Sequence, residues 1–368
     1  LYDRRAALSL NDEQAMLLDV YYQQFVHAGA LLSAPDKRRL EALNTRISTL
    51  ETLYAQKLVA SARDAALVVD SAQALAGLDA GEVASASKAA EARKLTGKWV
   101  VPLQNTTQQP ALSSLNRRET RQTLFQQSWT RAEKGDANDT RAIISELAQL
   151  RAQKAALFGY PDFASYTLYD QMARTPQAVE TFMRKLVPAT AAAQKREAAV
   201  LQTAMRKDGK DLTLRPWDWA YYSEQVRREK YDLNQDEVKP YFELGTVLRD
   251  GVFYAANQLY GITFRQRSDI PVYNPDIMVF EVTDKDGSPL GLMYFDYFKR
   301  DNKFGGAWMT NMVGQSSLLG TRPVICNVAN FTKAAPGQPQ LITSSDVTTM
   351  FHEFGHALHG LFASQTYP

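Results

Sequence analysis

The chain has 368 residues, 45% of them hydrophobic and 22% charged, with a formal net charge of +2. This balance excludes a disordered segment and describes a folded chain with a sizeable core and more than one structural lobe. Near-neutral charge without a long basic run gives no reason to expect nucleic acid or an anionic membrane as partner, and favours peptides or small molecules.

At the amino terminus, Leu1-Tyr2-Asp3-Arg4-Arg5 lacks the charged-then-apolar order of a signal peptide, and no later segment reaches eighteen uninterrupted apolar residues. A cleaved leader or an absent amino-terminal region is compatible with this start. His27, in the apolar run Phe25-Val26-His27-Ala28, reads as a structural histidine. From Asp36 to Ala60, Leu40, Leu43, Ile47, Leu50 and Leu58 recur at helical spacing among charged residues, which predicts one long amphipathic helix. Its stripe favours an antiparallel helical hairpin over an intermolecular coiled coil, because no heptad pattern lasts beyond about three repeats. Similar periodicity predicts helices within Leu115–Ala156, Pro176–Arg206 and Tyr221–Asp232. The breakers Pro110, Gly135, Pro161, Gly209 and Pro216 read as loops, not domain linkers. Trp217, Trp219, Tyr221 and Tyr222 read as packing residues.

After about Gly261 the pattern changes to short β-rich runs: Ile262–Arg265, Ile277–Val282, Leu290–Phe298 and Val324–Asn330. Asp284-Lys285-Asp286-Gly287 between the second and third runs signals a hairpin turn, so a small, mostly antiparallel sheet is expected. Lys299, Arg300 and Lys303 read as a solvated basic edge, with recognition of a substrate carboxylate as the alternative. Gly305-Gly306 reads equally as a mobile loop or a tight turn. Cys326 is the only cysteine, so no internal disulfide forms. A lone thiol favours a reducing compartment, and a cytoplasmic location is expected, with the periplasm as the alternative.

Three of the four histidines fall in Phe351-His352-Glu353-Phe354-Gly355-His356-Ala357-Leu358-His359, which contains the pattern H-E-x-x-H. Thr343-Ser344-Ser345-Asp346 matches a capping box, so the helix is expected to start near Ser344. On it, His352 and His356 lie one turn apart on one face, where two imidazoles can reach a single Zn²⁺, and Glu353 points beside them toward the attacking water. Val347, Phe351, Phe354, Leu358 and Leu361 form the expected core face. Gly355 and Gly360 each cost about 1 kcal/mol relative to alanine in a helix, which suggests close approach by another backbone or a ligand. His359 lies about 10 Å along the axis from His352, too far for both to reach one ion, and reads as a substrate-facing or neighbouring group, or as a structural one. A hydrolytic zinc site needs three protein ligands and a water. Asp346 sits on the capping turn, so a third ligand is expected from another segment, distant in the sequence or beyond Pro368.

The histidine run resembles the active-site signature of the thimet oligopeptidase family of zinc peptidases. The resemblance extends through Trp217–Tyr222, Tyr241–Leu244, Gly291–Asp296, Lys303–Trp308 and Pro323–Phe331. Within it, Lys303–Phe331 and His359-Gly360-Leu361-Phe362-Ala363 look most like the bacterial branch that removes carboxy-terminal dipeptides. It implies a mainly α, zincin-like fold: two helical lobes flanking a deep channel, and a small, mostly antiparallel sheet before the H-E-x-x-H helix. Residues 1–260 would form the helical channel walls and residues 261–368 the first part of the catalytic region, incomplete at its carboxyl end. His352 and His356 match two zinc ligands and Glu353 the catalytic glutamate. The family's third ligand, a glutamate about two dozen residues later on the next helix, has no counterpart before Pro368, nor have its later tyrosine and histidine.

The chain therefore resembles the middle of a longer protein, with the remainder absent or present as a separate chain. Alone it is expected to bind zinc weakly and to be inactive. By the resemblance an extended substrate is expected to pair with an edge strand, for which Val324–Asn330, with Ala329 and Asn330, is the candidate, an internal strand without substrate contact being the alternative. His359, Gly305 and Gly306 are further candidates for substrate contact. The expected function is zinc-dependent hydrolysis of short unfolded peptides with release of carboxy-terminal dipeptides. The alternatives are an internally cleaving oligopeptidase and a catalytically incomplete peptide-binding helical protein.

Overall fold

The structure, a computed structural model, describes residues 1–103, 109–209, 212–231 and 235–367. Asp232 and Pro368 lie outside the described residues. The helices are α1 (Asp12–His27), α2 (Ala34–Asp64), α3 (Ala80–Ala92), α4 (Arg118–Trp129), α5 (Arg141–Leu157), α6 (Phe163–Thr167), α7 (Pro176–Lys207), α8 (Pro216–Tyr231), α9 (Gln235–Val238), α10 (Leu244–Thr246), α11 (Tyr254–Tyr260) and α12 (Ser344–Leu361). The strands are β1 (Leu67–Val69), β2 (Trp99–Val101), β3 (Thr263–Gln266), β4 (Met278–Thr283), β5 (Pro289–Phe298), β6 (Trp308–Val313) and β7 (Val324–Phe331). The fold is mainly α, as the periodicity predicts. No helix among the described residues is long and apolar enough to cross a membrane. The chain forms two compact units, residues 1–58 with 132–197 and residues 59–131 with 198–368.

In the first unit, the stripe of α2 buries Leu40, Leu43, Ile47 and Leu50, and Ile47 and Leu50 pack on Ile143 and Leu147 of α5. The two helices run antiparallel: Lys154 donates to Asn44 at 2.9 Å at one end, and Lys57 donates to the Ala137 carbonyl at the other. The expected hairpin partner is therefore α5, which is far away in sequence. His27 is structural. Its ring stacks on Tyr166 and Tyr169 with centroids 3.9 Å away in each case, and its carbonyl accepts from the Tyr166 hydroxyl at 3.0 Å. Burial lowers the proton affinity of this imidazole, against an opposing pull from Asp170.

In the second unit, β1 and β2 form a two-stranded antiparallel ribbon that periodicity did not reveal, each strand being three residues long. The aromatic run opening α8 packs around Asp218. This fully buried carboxylate takes a forked contact from Arg118 at 2.8–3.2 Å and another from Arg121 at 3.2 Å. Tyr222 is buried, and the Arg121 guanidinium lies 4.1 Å from the Tyr221 ring centroid.

The main core lies between a five-stranded sheet, in the order β3-β4-β5-β7-β6, and the segments Leu244–Tyr260 and α12. Every neighbouring pair is antiparallel except β5 with β7, so the mostly antiparallel sheet is found. The hairpin between β4 and β5 closes at the predicted place, with Gly287 at φ +82° donating to the Asp284 carbonyl at 2.9 Å. One strand was not expected, and it changes the reading of another. β6 occupies the edge, whereas β7 is paired on both sides, Asn327 facing Phe295 of β5 and Met309 of β6. Val324–Asn330 is thus an interior strand whose backbone is already taken, which overturns its assignment as the substrate-pairing edge.

Two members of the basic run after β5, Arg300 and Lys303, are committed to internal partners and do not form a solvated edge. Lys303 is buried, and its ammonium donates to the carbonyls of Asp296 (2.8 Å), Phe298 (3.0 Å) and Ala329 (2.6 Å) and to the Asp296 carboxylate (2.9 Å). Arg300 grips the same carboxylate at 2.7 and 2.8 Å, and the Tyr273 hydroxyl donates to it at 2.8 Å. Burial raises the Asp296 carboxyl, but the hydrogen bonds from Arg300, Lys303 and Tyr273 outweigh it and hold the group at about 2. The folded value lies below the ordinary carboxylate value of about 3.9, so this stabilisation is complete above that pH and is lost as pH falls toward 2. Asp296→Asn should cost about 3 kcal/mol at pH 7, because it strands buried cations. In urea unfolding followed against pH, the gap to the unsubstituted protein should narrow between about pH 4 and pH 2.

Candidate active site

Helix α12 begins where the sequence places it. Thr343 accepts from the Asp346 amide at 3.1 Å, and the Asp346 carboxylate accepts from the Thr343 amide at 2.9 Å, closing a reciprocal capping box. Burial raises the Asp346 carboxyl, opposed by its bonds to Thr343. The carboxylate is occupied at the cap and is not free to ligate a metal. Just before the cap, the Ile342 amide donates to the Phe242 carbonyl and the Leu244 amide to the Gln340 carbonyl, both at 2.9 Å, which tethers the entry to the helix.

The buried arc of α12 holds Met350, Glu353, Phe354, Ala357, Gly360 and Leu361. It is turned by about 75° from the expected core face, as judged at 100° per residue. Phe351, expected in the core, is 40% exposed, and its ring instead flanks Gly251, whose missing Cβ would lie 3.6 Å from the phenyl Cζ. The helix turns because Gly360 lets it settle onto the sheet. A Cβ there would come within 2.8 Å of Ile325 Cδ1 on β7 and 2.9 Å of Asn311 Oδ1 on β6. The close approach expected at Gly360 is thus to side chains of the sheet. A Cβ at Gly355 would meet no other part of the fold within 4 Å among the described residues.

His352 and His356 project from the exposed side, with Nε2 atoms 3.1 Å apart and ring centroids 4.8 Å apart. Two nitrogens bound at about 2.1 Å to one tetrahedral ion lie about 3.4 Å apart, so the pair fits a single Zn²⁺ with little movement. Glu353 lies at the margin between this face and the sheet, 9% exposed, and its carboxylate makes no hydrogen bond or ion pair with the described residues. Among the described residues no group of three His, Cys, Asp or Glu side chains is placed to hold a metal. Chemically, the arrangement offers two neutral nitrogen ligands with a carboxylate beside them. It can place a proton acceptor next to a metal-activated water once further ligands complete the shell.

The other candidates are dispersed. His359 is exposed and borders an open hollow with Tyr260, Gly355, Leu358 and Phe362. Ala329 and Asn330 are buried at 2% and 7% exposure. The Ala329 carbonyl is held by Lys303, and the Asn330 amide donates to the carbonyls of Phe304 (2.9 Å) and Gly306 (2.7 Å). With β7 interior, these two residues brace the segment after Lys303 instead of offering an edge. Gly306 takes φ +90° in a turn tied down by Asn330. Sequence reasoning missed β6, the edge strand beside α12. Its signal was a run of β-formers, Trp308-Met309-Thr310, interrupted by Asn311. It also missed Asn327, fully buried on the sheet face that carries Ile325 toward α12, with neither side-chain polar atom hydrogen-bonded to protein.

Residues 111–368 match the family model described as peptidase family M3. The chain belongs to this family. It is 51% identical over 367 residues to the dipeptidyl carboxypeptidase of Escherichia coli (strain K12), covering 100% of this chain and 54% of that protein. The dipeptidyl carboxypeptidase of Salmonella typhimurium gives the same figures. Oligopeptidase A of Escherichia coli is 32% identical over 359 residues, covering 95% of this chain and 52% of that protein. The chain thus spans about half the length of the curated relatives it matches.

Because the cap fixes the start of the helix that carries both imidazoles, Thr343→Ala should destabilise the protein by about 1 kcal/mol in chemical denaturation.

Proposed function

We propose that this chain carries the metal-binding and base-bearing part of a zinc-dependent peptidase that acts on short unfolded peptides and releases carboxy-terminal dipeptides. The observation that carries the reading is the convergence of His352 and His356 to 3.1 Å beside Glu353, in a chain 51% identical to a dipeptidyl carboxypeptidase. His352 and His356 would hold the ion. When bound, Zn²⁺ supplies a Lewis acid that polarises the scissile carbonyl and lowers the pKa of water toward about 7. Glu353 takes the proton of the attacking water and passes it to the leaving amine. Its buried position at the margin of the exposed face, without a hydrogen-bond partner among the described residues, suits a carboxylate that must accept and return a proton.

The substrate backbone is assigned to the open edge of β6, Trp308–Val313, which pairs on one side only among the described residues and lies against α12. His359 and the Gly305–Gly306 turn are further candidates for peptide contact. The family likeness supports a two-lobed body with a deep channel, residues 1–260 supplying walls and residues 261–368 beginning the catalytic region. A third metal ligand is assigned to polypeptide outside the described residues, in the same chain or a separate one. Internal cleavage is the second reading, favoured by the 32% identity to oligopeptidase A.

In the complete enzyme, Glu353→Gln should leave about one zinc per active site by elemental analysis while lowering peptide turnover by about 10³-fold. Undiminished turnover in that variant would remove Glu353 from the mechanism. Mass spectrometry of products from a peptide with a free carboxyl terminus and from its amidated twin separates the two readings. Dipeptides from the free form alone support the first, and internal fragments from both support the second.

A further inference from the structure

Beside the Asp296 network, in the unit that carries the sheet, lies a small hollow of about 10 Å³ bordered by Arg63, Lys299, Arg300, Asp301 and Lys303. Val59, Ala62 and Leu103 form its apolar wall. The charges around it are unequal. Arg300 and Lys303 are committed to Asp296, Arg63 pairs with Asp64 at 2.7 Å, and Arg93 pairs with Asp301 at 2.8 Å. Among the described residues Lys299 is the cation left over: it is half-buried and makes no side-chain hydrogen bond or ion pair with them. Arg63, Arg93, Lys299, Arg300 and Lys303 thus stand against Asp64, Asp296 and Asp301. A partly desolvated ammonium without an acceptor, crowded by like charges, is unfavourable unless something negative neutralises it.

We propose that this hollow binds one monatomic anion, chloride under physiological conditions, with the Lys299 ammonium as its principal donor. The small volume, close to that needed for one water-sized particle, favours a monatomic ligand over a peptide carboxylate or a phosphate. The apolar wall removes competing solvent and strengthens the attraction to the surrounding cations. The titration of Lys299 agrees with an uncompensated site. Burial, with Arg93, Arg131 and Lys303 nearby, pushes its ammonium down to about 8 against the opposing pull of Asp301. An anion would relieve that crowding. It would also stiffen the turn between β5 and β6, since Lys299, Arg300 and Lys303 all lie on it. The inference is independent of the peptidase reading.

The test compares thermal unfolding in sodium chloride and sodium gluconate at equal ionic strength, for the unsubstituted protein and for Lys299→Gln. Chloride should raise Tm by about 2 °C over gluconate, saturably, and Lys299→Gln should abolish the increment. Equal Tm in the two salts, or an increment unchanged in Lys299→Gln, overturns the proposal, the latter meaning that chloride acts elsewhere. If the variant does not fold, bromide-soaked crystals of the unsubstituted protein decide the matter. An anomalous peak within hydrogen-bonding reach of Lys299 Nζ supports the site, and a vacant hollow overturns it.

Discussion

How low α12 sits on β6 and β7 governs the geometry of the candidate site. Gly360 makes that depth possible, since any side chain there would collide with Ile325 and Asn311. With the helix so placed, Phe354, Ala357 and Leu361 enter the core, the imidazoles of His352 and His356 stand clear on the opposite arc, and Glu353 falls between the two. The rotation also pushes Phe351 out against Gly251. A helix held even 1–2 Å higher would carry the nitrogens and the carboxylate away from the strand edge together, and positioning errors of that size matter at a reacting centre.

A second anchor works from below. Lys303 gathers carbonyls from Asp296 and Phe298 on β5 and from Ala329 on β7, and so clamps the parallel pair of strands at the end where they would otherwise splay. The Asp296 carboxylate keeps that buried ammonium charged, and Arg300 and Tyr273 complete its shell. Asn330 extends the brace to the turn before β6. The edge strand is thus held from one end by a polar cluster and along its length by β7.

The legible parts of the fold were those set by local periodicity and local chemistry. The stripe from Leu40 to Leu50, the turn ending at Gly287, the Thr343–Asp346 cap and the one-turn spacing of His352 and His356 each depend on residues a few positions apart, so the sequence displays them directly. The rotation of α12 depended on a contact between Gly360 and two strands, which a helical wheel cannot contain. Met350 and Ala357, less strongly apolar than Phe351 in a pattern, are buried, whereas Phe351 is 40% exposed. The interior place of β7 followed from β6, hidden because Asn311 breaks an otherwise β-prone run. Arg300 and Lys303 read as a surface because nothing local announces that Asp296, and for Lys303 three carbonyls as well, await them. Of the candidate site, the one-turn pairing of His352 and His356 and the carboxylate beside them were legible. The strand beside them was assigned wrongly.

The open side of β6 has a bearing on how the protein behaves in concentrated solution. An unpaired strand edge is a template for any extended chain, including the same strand of another copy, and Met312 and Val313 are 51% and 40% exposed along it. Two features oppose self-association: the strand is only six residues long, and Thr310 and Asn311 interrupt its apolar character. The edge proposed to receive short peptides therefore carries a tendency toward edge-to-edge aggregation, restrained by brevity and by two polar side chains.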